Sequence, residues 1–136
     1  MLFLYRTAMN NEFVKEEDKL KRSTIFFYDT KTHERFIAKM LSVEVGQPIG
    51  EYTGNGNKLF SSTSIWEIET EDGKKYTRKV EHRTSTDIFY PDGWDHRETI
   101  SSPVALFAVT CTKTGSVRVG IDCDSWMEIV RGDMRV

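Results

Sequence analysis

At 136 residues the chain fits one domain, 1–136, long enough to bury a working core without a disulfide or a metal. An apolar fraction of 38% and a charged fraction of 29% exclude disordered and fibrous classes. The balance of 19 Lys plus Arg against 21 Asp plus Glu gives a net charge of −2, so no overall field draws the chain to nucleic acid or to an anionic membrane, although a local basic patch stays open.

The apolar opening from Met1 to Tyr5 is too short to span a bilayer and lacks a basic leader region and a cleavage site, which favours a cytoplasmic protein. Residues 1–9 read as either a short strand or a loose N-terminal segment. Over 10–23 good helix formers carry acidic residues early and basic residues late, with Asn10 or Asn11 available as N-cap. A short surface helix is therefore expected there, because only Phe13, Val14 and Leu20 are strongly apolar.

Three hairpins follow. In the first, Phe27 is expected opposite Phe36, Ile25 opposite Ala38 and Thr24 opposite Lys39, around a polar turn in which His33 stands where glycine is common. Histidine tolerates the left-handed region, so His33 is read as a turn residue. In the second, a three-residue loop Glu71-Asp72-Gly73 with Gly73 left-handed pairs Thr70 with Lys74, Ile68 with Tyr76 and Trp66 with Arg78. The apolar and charged faces then separate cleanly, and Arg78 and His82 fall on the core side. In the third, pairing Thr112 with Ser116 around Lys113-Thr114-Gly115 is expected to put Phe107, Val109 and Cys111 on the face of Val117, Val119, Ile121 and Cys123.

In that register Cys123 lies opposite Ala105, and about 20 Å of strand separates the two sulfurs. Both cysteines therefore read as small core hydrophobes, without a disulfide and without the short spacing of a zinc site. The tail after Asp122 holds a capping-box pattern, Ser125 to Glu128, but Trp126, Ile129 and Val130 suit a closing strand, which is the favoured reading. The expected fold is mainly β, a small antiparallel barrel or sandwich of three successive hairpins with one N-terminal helix; the alternative is α+β.

Two stretches interrupt the hairpins. Residues 46–64 read as a long glycine-rich loop whose Gly54-Asn55-Gly56-Asn57-Lys58 could turn amides towards an anion, but the spacing fits neither a P-loop nor GxGxxG, and Asn-Gly more simply makes a hairpin tip. Residues 83–100 form a second loop, in which Pro91-Asp92-Gly93 is turn chemistry. His96-Arg97-Glu98 resembles half of a zinc-deaminase signature whose cysteine half is missing, so no metal and no cofactor is expected.

Phe89, Tyr90 and Trp94 offer flat aromatic faces, and Arg97, with Arg78 beneath, offers forked donors; with His96 these are the expected ligand-binding residues. The leading functional expectation is a non-enzymatic binding module that recognises a nucleotide-like ligand or a protein partner through loops 46–64 and 83–100. The alternatives are a small hydrolase or phosphodiesterase-like enzyme with His82 and His96 as base and acid, and a self-assembling homo-oligomer joined at a strand edge.

Overall fold

The computed structural model describes residues 2–6, 22–88 and 100–132. Within them run nine strands: β1 (Leu2–Arg6), β2 (Thr24–Asp29), β3 (Arg35–Tyr52), β4 (Lys58–Thr70), β5 (Lys75–Glu81), β6 (Thr86–Asp87), β7 (Ala105–Thr112), β8 (Val117–Asp122) and β9 (Met127–Arg131). They form one antiparallel sheet in the order β1-β8-β7-β4-β3-β2-β9, with β5 beside β4 and β6 beside β7. Among the described residues β1 and β9 do not pair, so this mainly-β sheet curls about a core without closing. No helix among them is long and apolar enough to cross a membrane.

The first two hairpins adopt the registers that alternation and turn chemistry require. Phe27 faces Phe36, Ile25 faces Ala38, and the two phenyl rings stack with centroids 4.3 Å apart. His33 takes a φ of 65° and its amide donates to the Asp29 carbonyl, which confirms the turn role. Ile68 faces Tyr76, Trp66 faces Arg78, and Gly73 is left-handed with φ 88°. Burying Trp66, Phe27, Phe36 and Ile68 removes the largest apolar side chains of this half from water, each contributing about 1.5–3 kcal/mol. Residues 2–6 take the strand alternative and pair with β8, and the tail likewise forms a strand, β9, against β2.

Two expectations need correction. Residues 46–64 are not a loop: β3 and β4 run on as one long hairpin whose tip is only the turn 53–57, closed by Thr53 N–H on the Asn57 carbonyl at 2.8 Å and by left-handed Gly56. Register shifts at Leu41 and on either side of Pro48 bend these arms, which lets β4 serve both halves of the sheet. The third hairpin keeps Cys111 opposite Val117 but carries a bulge at Val109, so Leu106 faces Ile121 and Phe107 faces Gly120. Leu106 and Ala108, not Phe107 and Val109, therefore enter the core, and Ala105 lies opposite Asp122 instead of Cys123. Both cysteines remain free and buried.

Part of the 83–100 loop is also strand, since β6 pairs Thr86 with Leu106 and Asp87 with Ala105. The helix expected over 10–23 lies outside the described residues except for its last two. So does the turn at Asp92.

Candidate functional site

Along one edge β4 has two successive neighbours. Leu59 and Phe60 pair with Thr112 and Cys111 of β7, and from Thr63 onward β4 pairs with β5. The first contact brings the β3–β4 tip against the β7–β8 turn, and an open cleft of about 820 Å³ lies between them. The tip contributes Pro48, Thr53, Asn57, Lys58 and Phe60, and the turn contributes Thr112, Lys113, Thr114 and Ser116.

Both rims are held by local hydrogen bonds. Thr53 Oγ1 accepts from the Asn57 amide at 3.2 Å, and Thr112 Oγ1 accepts from the Ser116 amide at 3.2 Å while lying 3.0 Å from Thr114 Oγ1. These hydroxyls shape the turns, leaving the Asn57 side-chain carboxamide, the two ammonium groups and the Phe60 ring as the recognition groups. No Asp or Glu lines the cleft, and neither Lys58 nor Lys113 is ion-paired among the described residues. In a chain of net charge −2 this is a locally basic surface with one aromatic face in it.

Of the residues singled out from sequence, Phe89, Tyr90, Trp94, His96 and Arg97 lie outside the described residues, and the structure brings Arg78 and His82 to the root of their stretch. Arg78 donates from Nε (3.1 Å) and Nη2 (2.5 Å) to the Asp87 carbonyl, and the Tyr76 hydroxyl donates to the Ile88 carbonyl. Burial raises the Tyr76 phenol far above its ordinary range, so it stays a donor. Arg78 thus fixes the backbone that leads into residue 89. His82 sits where the chain leaves β4 for β7: its amide donates to the Ser62 carbonyl at 3.0 Å, and it makes an isolated bridge to Ala108.

At the opposite end Asp29 is fully buried. It accepts from Ser101 N at 2.7 Å, from the Ser101 hydroxyl, and from Lys31 N and Thr32 N at 2.9 and 3.2 Å. Ser101 Oγ also accepts from Trp126 Nε1 at 2.8 Å, and Lys31 Nζ lies 3.4 Å above the Trp126 ring. Every donor here is spent on joining three chain segments, so this cluster is structural.

The remaining chemistry is sparse. Burial raises the Cys111 and Cys123 thiols to about 11, which keeps them protonated and poorly nucleophilic at neutral pH. Among the described residues no group of three His, Cys, Asp or Glu side chains gathers to hold a metal ion. Lys113 and Thr114 were legible in sequence only as turn residues; their place in a cleft depends on the β4–β7 contact, which no local pattern announces. No family model, no curated protein and no solved structure matches the chain.

Proposed function

We propose that the protein is a non-enzymatic binding module whose cleft takes a small nucleotide-like anion. The observation that carries this reading is a cleft that, among the described residues, no Asp or Glu lines and that holds Phe60 together with two lysines, one from each hairpin, neither of them ion-paired among the described residues. Lysine ammonium groups are point charges suited to a phosphate, a phenyl ring stacks on a base, and the Asn57 side-chain carboxamide supplies a donor and an acceptor for its edge. Phe89, Tyr90, Trp94, His96 and Arg97 extend the reading on the strength of their residue types.

Calorimetric titration with AMP, ATP and inorganic phosphate tests it. Lys58→Ala and Lys113→Ala are each expected to weaken AMP binding about tenfold, equivalent to about 1.4 kcal/mol, and raised salt is expected to weaken the wild type in the same direction. Equal affinity in a folded double variant would remove the cleft. A Tyr90→Ala, Trp94→Ala, Arg97→Ala triple variant in the same titration reports separately on the aromatic stretch, and unchanged affinity there would remove that stretch alone.

A further inference from the structure

His82 sits at a point where the chain passes from one strand partner to another. Up to Glu81 the strand pairs with β4, and from Thr86 it pairs with β7; between them the single bridge to Ala108 ties the crossing down. His82 is half-buried as a residue, yet both ring nitrogens are shut off from solvent and neither has a hydrogen-bond partner among the described residues. Ser62, the next cross-strand neighbour in the β4–β5 register, is 3% exposed, and its hydroxyl is unpartnered too. Immediately afterwards Arg83 takes a φ of 64°, a left-handed backbone that a long side chain rarely adopts. Three unmatched polar atoms and a strained residue thus meet at one corner, whereas the other buried side-chain polar atom without a partner among the described residues, Ser23 Oγ, stands alone.

A neutral imidazole tolerates this position better than a charged one. Protonation would place a cation between β4 and β7 with two donors and no acceptor. The charged groups acting on the ring are Arg83, which opposes the charge, and Glu51 from β3, which favours it. β4 sets the uncharged Ser62 opposite, β7 sets Ala108 beside it, and the adjoining Glu81 is paired with Lys79 at 2.9 Å. We propose that the His82–Arg83 corner is an acid-sensitive latch: protonation expels the imidazole, relaxes Arg83 and frees residues 83–88 from β7.

Burial first, and then Arg83, hold the His82 imidazole below its ordinary value and outweigh Glu51, in keeping with that geometry. The opened state then binds more protons than the closed one. The latch is held above the ordinary imidazole value and weakens as pH falls through it towards the lower value of the closed state. With an ordinary imidazole of about 6.5 in the open state, linkage limits the gain in opening at pH 5.5 to about elevenfold.

Hydrogen exchange between pH 7.5 and 5.5, corrected for intrinsic rates, tests the latch on the full chain. Amides of 82–88 and 104–108 are expected to open severalfold more often at pH 5.5 in the wild type, while the β2–β3 amides hold. The rise should vanish in His82→Phe and in the more conservative His82→Gln, whichever folds. No rise in the wild type, or the same rise in either variant, would overturn the proposal. So would an NMR titration that places the wild-type His82 ring at or above the ordinary imidazole range.

Discussion

Asp29→Ala is expected to cost about 2–4 kcal/mol of stability, because it removes from a fully buried position the carboxylate that accepts part-buried hydrogen bonds from the N–H groups of Ser101, Lys31 and Thr32 and from the Ser101 hydroxyl. For a domain of this size that corresponds to a fall in Tm on the order of 10 °C. Asp29→Asn keeps the shape but turns an amide donor towards one of those donors, so it should fall between wild type and alanine. Burial works against the Asp29 charge, but the hydrogen bonds from Ser101, Thr32 and Lys31 outweigh it and hold the carboxyl below the usual carboxylate range. The folded value being depressed, this stabilisation is present above the unfolded value and is lost as pH falls through the folded one. The gap between wild type and Asp29→Asn should therefore be full at pH 6 and narrow below about pH 4, as read by urea melts across that range. A gap independent of pH would mean that the carboxylate charge contributes nothing.

Gly120→Val should destabilise by about 3 kcal/mol, and Gly120→Ala by less, through overpacking. A Cβ at Gly120 would lie 2.2 Å from Phe107 Cζ and 2.4 Å from Cε2, so the ring must leave its seat on β8. Removing the ring removes the conflict: in a Phe107→Ala background Gly120→Ala should cost almost nothing, a coupling that a double-mutant cycle measures directly. Additive effects of the two substitutions would contradict the bulged register at Val109.

That bulge shows where reading the sequence fell short. Ala105 to Val109 is apolar at every position, so either face could have been the inner one, and alternation carried no information across it. The usable signal was Gly120, a glycine inside a strand opposite a large aromatic, which marks close approach. By contrast Glu69 to Lys75 and Phe27 to Phe36 combine clear alternation with turn residues of defined geometry, and their registers were fully legible. The 46–64 stretch imitates a loop in composition through Gly46, Pro48 and Gly50, while of the three buried residues of β4 there only Leu59 is apolar and the other two are Ser62 and Ser64. Strand hydrogen bonding does not require apolar side chains, and bulges accommodate the proline.

The candidate site was legible by halves. The Gly54 to Lys58 run was identifiable as a potential anion-facing turn, and the structure keeps Asn57 and Lys58 at the cleft. Its partner, the Lys113-Thr114 turn, looked like any hairpin turn until β4 joined β7. Arg78, expected beneath a ligand, holds the Asp87 carbonyl, since its register position aims it at β6.

Chemical-shift mapping of the ¹⁵N-labelled full chain during titration with AMP reports where a nucleotide-like anion sits as well as whether it binds. Saturable shifts concentrated at Thr53, Asn57, Lys58, Phe60, Lys113 and Thr114 are the predicted result. Saturable shifts that leave both rims of the cleft untouched, or no saturable shift at all, would contradict it.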